Sequence, residues 1–296
     1  MPPTDPAPAP AHEQRAPDRR SPQWPSAASA VVGVMGDPVR HSLSPLLHNC
    51  AFGALGLDWV SVAFEVRAGQ GAAALAGARA LEIRGLSVTT PLKEEVAGAV
   101  DRCSPLAARL GAVNCVSREE GRLFGDSTDG AGFLAALQRG TGFDPAGRRC
   151  LVVGAGGAAR AVVVALAEAG AAEISILNRH RARAEAALSL AGGAGRVGEP
   201  SDLAGAELVV QATSVGLGDG RAVHPLVDTG VLHGGQTVVD LVYHPPRTAL
   251  LAAAEAAGAT IANGLGMLVH QAALAVERWT GRPAPVEAMW KAVSSR

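Results

Sequence analysis

The chain has 296 residues, 48% of them apolar, which is enough to bury the cores of two domains. Its formal net charge of −1 offers nothing to a nucleic acid, and no apolar run reaches the length of a membrane span. Four cysteines, Cys50, Cys103, Cys115 and Cys150, make no C-x-x-C pair, and with no hydrophobic leader in front they read as reduced core thiols of a cytoplasmic protein.

Residues 1–29 are rich in proline, alanine and charge and read as a disordered tail. Asp5, Glu13 and Asp18 argue against a transit peptide there. Strand and helix signals then alternate, which favours a parallel α/β architecture over an antiparallel sheet. Residues 31–34, 60–64, 86–88 and 112–116 read as strands. After the first strand, Ser42 and Ser44 place two hydroxyls before a helix, an arrangement suited to a carboxylate. Ser44 followed by Pro45 is equally a helix N-cap, and that alternative stays open. His41 and His48 have no metal-ligand spacing and read as structural.

Of the 26 basic residues, Lys93 and Lys291 alone are lysine. Arginine substitutes freely in this chain, so a retained lysine is a candidate for proton exchange, which a guanidinium cannot perform. Lys291 reads as solvated tail, whereas Lys93 follows an apolar strand that breaks at Pro91. Its bland alternative is an exposed first-turn lysine before Glu94 and Glu95. Asn114 reads as the end of a strand, and residues 125–130 as an acidic turn opening a helix through residue 138, where Asp129 alone would be a helix cap. Residues 140–147 form a turn-rich connector.

The second half begins with the most specific signal. Leu151, Val152 and Val153 read as a buried strand, followed by Gly154-Ala155-Gly156-Gly157-Ala158-Ala159 and a helix, the G-x-G-x-x-A form of a dinucleotide-binding turn. Gly154 permits the tight turn, Gly156 lets the backbone approach a pyrophosphate, and Ala159 keeps helix and strand close. A strand over 174–177 ends at Asn178 and Arg179, with Arg181 and Arg183 beyond, where an NAD enzyme would place a carboxylate for the ribose 2′-hydroxyl. Guanidinium groups suit a 2′-phosphate instead, so the expected cofactor is NADP. Further strands follow at 208–210 and 238–242, with a long terminal helix over 264–280.

From about residue 31 to the C-terminus the chain resembles the shikimate dehydrogenase family. The resemblance is carried by Gly-Asp-Pro-Val-Arg-His-Ser-Leu-Ser-Pro (36–45), Ser-Val-Thr-Thr-Pro-Leu-Lys (87–93), Gly-Ala-Val-Asn (111–114) and Asp-Ser-Thr-Asp-Gly (126–130). It continues through Gly-Ala-Gly-Gly-Ala-Ala-Arg (154–160), Asn-Arg-His (178–180), Ala-Thr-Ser-Val-Gly (212–216), Tyr-His-Pro-Pro-Arg-Thr (243–248) and Asn-Gly-Leu-Gly-Met-Leu-Val-His-Gln (263–271).

The resemblance implies NADPH-dependent reduction of 3-dehydroshikimate to shikimate and an α/β fold of two domains with the catalytic cleft between them. A substrate domain would span 30–129 plus 264–296, and a Rossmann-type NADP domain 130–263. Lys93 and Asp129 match the catalytic pair; Ser42, Ser44 and Tyr243 match groups around the substrate carboxylate; Thr89, Asn114 and Gln271 match groups holding ring hydroxyls. Gly154, Ala155, Gly156, Gly157, Ala158, Asn178, Arg179, His180 and Arg183 match the NADP site, with Gly264 and Met267 on its nicotinamide side. No metal, nucleic acid or membrane partner is implied, and the expected state is a monomer or homodimer in the cytoplasm.

The chain departs from the family pattern at four positions. Ser87 and Ser127 stand where asparagine is usual, shortening polar side chains near the catalytic pair. Gln211 stands for an asparagine, and His180 for a threonine or serine in the cofactor site. Three other readings remain: a quinate/shikimate dehydrogenase or paralogue acting on a related polyol acid, a non-catalytic ligand-sensing relative, and an NADP-binding dehydrogenase with a different substrate half.

Overall fold

The computed structural model describes residues 25–294. Most of the tail expected over 1–29 therefore lies outside the described residues, while Ser26 and Ser29 at its end donate hydroxyl hydrogen bonds to the Asp58 carboxylate. The first half runs β1 (Ala30–Gly36), α1 (Ser44–Leu55), β2 (Trp59–Glu65), α2 (Gly71–Ala80), β3 (Gly85–Val88), α3 (Lys93–Ala97), β4 (Arg102–Cys103), α4 (Pro105–Leu110), β5 (Cys115–Glu119) and β6 (Arg122–Asp126). The second runs α5 (Asp129–Thr141), β7 (Arg149–Val153), α6 (Gly157–Glu168), β8 (Glu173–Leu177), α7 (Arg181–Ala187), β9 (Gly195–Val197), β10 (Leu208–Gln211), β11 (Thr237–Asp240), α8 (Ala249–Ala256), β12 (Thr260–Asn263), α9 (Leu265–Thr280) and α10 (Val286–Ser294).

The first sheet, in the order β2-β1-β3-β5-β6-β4, is mixed rather than wholly parallel. β1 pairs parallel with β2 and β3, but β5 pairs antiparallel with both β3 and β6. β6 turns back on β5 through a tight hairpin at Glu120 (φ 50°) and Gly121 (φ 81°), two successive left-handed residues that match the right-handed strand twist. Glu-Gly is a weak hairpin signal beside Asn-Gly, so β6 is not evident from the sequence. The bounds of β5 correct the reading of Asn114: it enters β5 rather than ending a strand. Because β5 opposes β3, that entrance lies beside the exit of β3, where the Val88 amide donates to the Asn114 carbonyl at 2.7 Å.

The second sheet, β12-β11-β10-β7-β8-β9, is parallel throughout. Its central strands are buried on both faces, with Leu151, Val152, Val209 and Val210 fully covered, as helices on both sides require. The chain builds outward from β7 through β8 and β9, then returns to the other side of β7 with β10, leaving a switch point beside the glycine turn.

Helices α5 and α9 join the halves. Gly132 on α5 allows the contact, since a Cβ there would lie 2.7 Å from the Gln271 backbone nitrogen on α9. After β12 the chain returns to the first sheet: Val269, Ala272 and Val276 of α9, with Met289 and Val293 of α10, share a core with Val32, Leu47 and Phe52. Lys291 accordingly sits on α10 rather than in a solvated tail.

His48 is wholly buried, its Nδ1 3.0 Å from the Ser61 hydroxyl and its ring edge-on to Trp279. Burial pushes its pKa down to about 3, so the imidazole is neutral and structural. All four cysteines are free, and burial pushes the Cys115 and Cys150 thiols up to about 12.

Candidate active site

A cavity of ≈ 170 Å³ opens where β1, β3 and β5 of the first sheet face the turn after β11 and the first turns of α9. All eight residues expected to bind substrate or perform catalysis line it. Ser42, Ser44, Thr89, Lys93, Asn114 and Asp129 come from the first-sheet side and the start of α5; Tyr243 and Gln271 come from the opposite side. A larger cavity of ≈ 520 Å³ lies behind Met267 between α5, β12 and α10, but its walls are mainly apolar and its Arg139 is paired with Glu287. Convergent titratable chemistry belongs to the smaller one.

Lys93 is the first residue of α3, and its ammonium donates to Asp129 Oδ2. Their side chains are 17% and 6% exposed, so the exposed first-turn lysine does not describe this position. The other Asp129 oxygen accepts from Asn114 Nδ2 at 2.8 Å, and this carboxylate is committed to the site rather than to helix capping. Asn114 Oδ1 accepts the Thr128 amide at 2.7 Å, and Thr128 Oγ1 donates to the Gln271 carbonyl at 3.1 Å. This buried network ties the β5 entrance, the α5 start and α9 together, fixing Asp129 before any substrate arrives. Thr128 was not singled out from the sequence, because a threonine between Ser127 and Asp129 carries no signal of its own. Ser87, 5% exposed, lines the cavity with no partner for its Oγ among the described residues, whereas the Ser127 backbone N–H donates to Asp126 Oδ1 at 2.8 Å.

At the other end, Ser44 belongs to α1 itself; the N-cap is Leu43, whose side chain makes no cap bond. The Ser44 amide donates to Ser42 Oγ at 3.2 Å, leaving the Ser44 hydroxyl for the cavity. Tyr243 reaches this turn from the second half: burial raises its pKa while the Leu43 backbone lowers it less, so the phenol stays a donor. Ser44→Ala and Tyr243→Phe should each weaken substrate binding by about 0.5 to 3 kcal/mol. Because Ser44 caps nothing, its alanine variant should keep its melting temperature. A lowered melting temperature with an unchanged substrate KM would return Ser44 to a structural role.

The glycine turn closes the cavity from the second half. Gly154 adopts φ 121°, and a Cβ there would meet the Ala212 carbonyl at 3.1 Å. Gly156 faces open space, which leaves room for a pyrophosphate at the amides opening α6, and Ala159 is fully buried against the sheet. A Cβ on Gly157 would stand 3.3 Å from Lys93 Cδ, so the nucleotide turn packs directly on the lysine. Ala158, Gly264 and Met267 also line the substrate cavity.

At the end of β8, Asn178 Nδ2 donates to the His180 carbonyl at 2.9 Å, shaping the turn into α7. Arg181 is occupied by Glu185 and Glu199. Arg179 and Arg183 make no ion pair among the described residues, which leaves two guanidinium groups for a phosphate. His224, 7% exposed, approaches this corner unannounced by the sequence, and burial together with the Arg179 charge lowers its pKa.

The sequence matches the shikimate dehydrogenase substrate-binding domain over residues 34–116, the shikimate/quinate 5-dehydrogenase domain over 136–214, and the shikimate 5'-dehydrogenase C-terminal domain over 264–293. Shikimate dehydrogenase (NADP(+)) of Methanopyrus kandleri is 47% identical over 277 residues, covering 90% of this chain and 96% of that protein. The Moorella thermoacetica protein of the same name is 46% identical over 273 residues, covering 89% and 92%. The crystal structure of Thermus thermophilus shikimate 5-dehydrogenase with NADP(H) and shikimate superposes with a TM-score of 0.83 at 39% identity, covering 90% of this chain and 99% of that one. With cavity, nucleotide turn and near full-length likeness in agreement, the chain belongs to the shikimate dehydrogenase family.

Proposed function

We propose that this protein catalyses the reversible NADPH-dependent reduction of 3-dehydroshikimate to shikimate, with Lys93 and Asp129 as its acid/base pair. The observation that carries this reading is the buried Lys93–Asp129 pair, packed against the glycine turn and facing a hydroxyl-lined cavity. The open space at Gly156, and Arg179 and Arg183 with no ion pair among the described residues, suit a dinucleotide bearing a 2′-phosphate. NADPH, when bound, supplies the hydride.

Reduction leaves negative charge on the ketone oxygen, and the Lys93 ammonium stabilises that charge and donates the proton. In the oxidative direction Lys93 Nζ accepts the hydroxyl proton. Asp129 holds Nζ in place with one oxygen while Asn114 holds the other. Ser42, Ser44 and Tyr243 bind the ring carboxylate and so orient the ring; Thr89, Asn114 and Gln271 take its hydroxyls. Met267 and Gly264 border the nicotinamide side. Division of the chain at residues 129 and 264 assigns α9 and α10 to the substrate domain, supported by the core they share with α1. We infer a cytoplasmic monomer or homodimer; among the described residues no helix is long and apolar enough to cross a membrane.

The test is turnover of 3-dehydroshikimate with NADPH and, separately, oxidation of quinate. Activity confined to 3-dehydroshikimate and shikimate fits the proposal, whereas preferential oxidation of quinate would move the chain to the related activity. Binding without turnover would indicate a ligand sensor.

His180 offers a separate test of cofactor selection. It stands beside Arg179 at the turn into α7, where its imidazole can add a hydrogen bond to the phosphate. His180→Thr should weaken NADPH binding by about 2- to 10-fold, the scale of one hydrogen bond, with NADH affinity unaffected. Equal NADPH affinity in the two proteins would make His180 a turn residue.

A further inference from the structure

We propose that Arg160 and Glu94 form a positioning pair across the cleft that holds Lys93 against the glycine turn. This rests on the reading of Lys93 as the proton donor. α3 contains five residues, too few to keep their shape unaided, so the placement of Lys93 depends on what grips the helix from outside. Beside the Lys93–Asp129 bond itself, three grips are present among the described residues. Glu95 accepts the Gly69 and Gly71 amides at 3.0 and 2.6 Å, and the Lys93 carbonyl accepts the Val113 amide at 2.9 Å. Both anchor α3 within its own half. The third crosses the cleft: Arg160 Nη2, in the first turn of α6, donates to Glu94 Oε1 at 2.6 Å.

The two ends of this bridge each adjoin the chemistry. Glu94 follows Lys93 directly, and Arg160 lies three residues after Gly157, whose α-carbon faces the lysine stem. The Arg160 side chain is 22% exposed and that of Glu94 66%, so the pair contributes little to global stability. Arg160 Nε is buried without a partner among the described residues, a cost that a purely decorative surface arginine would avoid by turning into water. Its effect is therefore on geometry, where small misplacements of a proton donor weaken catalysis. The pair couples the seat of the cofactor to the seat of the lysine.

The experiment compares Glu94→Gln, Arg160→Met, Arg160→Lys and the Glu94→Gln/Arg160→Met double variant with the native protein. Expected for both single neutral variants are a kcat lowered about 3- to 30-fold, a 3-dehydroshikimate KM within about twofold of native, and an NADPH Kd, read by nicotinamide fluorescence, raised about 2- to 5-fold. Melting temperatures should stay within about 2 °C. Arg160→Lys should recover most of the loss, and the double variant should be no worse than the worse single, as members of one pair require. Native kcat and NADPH Kd in Glu94→Gln would overturn the proposal, as would losses that multiply in the double variant. If the native protein itself fails to reduce 3-dehydroshikimate, the functional reading fails separately, and an NADPH Kd unchanged across the variants then overturns the bridge on its own.

Discussion

Replacing Lys93 by alanine is expected to lower kcat by about 10²- to 10⁴-fold while leaving NADPH binding largely intact. The ammonium meets Asp129 in a nearly enclosed site, and its removal strands that carboxylate with Asn114 as its remaining partner. Some loss of stability will therefore accompany the loss of rate, because breaking a buried pair leaves an uncompensated charge. Lys93→Arg separates the two effects. A guanidinium keeps the charge opposite Asp129 but cannot release a proton at any relevant pH, so the arginine variant should fold with a near-native melting temperature and still fail in turnover. Near-normal kcat in Lys93→Arg would remove Lys93 from the acid/base role.

Arg179→Ala should weaken NADPH binding by about 10- to 10²-fold, the scale of losing charge-assisted hydrogen bonds to a phosphate. NADH, which lacks that phosphate, should bind almost as before. The selectivity follows from the local balance of charge: acidic partners engage Arg181, whereas Arg179 carries no ion pair among the described residues. Parallel losses of NADPH and NADH would mean that Arg179 supports the turn rather than the phosphate, and would shift selection to Arg183.

Much of this site is legible in the sequence because its residues sit at strand ends, where short motifs fix both conformation and chemistry. The G-x-G-x-x-A turn placed the nucleotide half, and the scarcity of lysine drew attention to Lys93. The chain was less legible where long-range pairing decides. Strand β6 is formed through a hairpin with little turn signal, and β5 runs antiparallel to β3, which puts Asn114 at the entrance of its strand rather than at an end. Thr128, Arg160 and Glu94 look ordinary in sequence because each acquires its role from a partner on another element. Ser44 was ambiguous for a different reason: Ser-Pro opens helices whether or not the serine caps them, and only the observed N-cap at Leu43 separates the two.

The central claim concerns where a ring sits relative to Lys93, and a crystal structure with shikimate and NADP+ tests it most directly. The expected result places one ring hydroxyl within about 3.2 Å of both Lys93 Nζ and the Asp129 carboxylate, with the ring carboxylate on Ser42, Ser44 and Tyr243. A ring bound in the opposite sense, its carboxylate on Lys93 and its hydroxyls on the serines, would contradict the assignment of the acid/base pair.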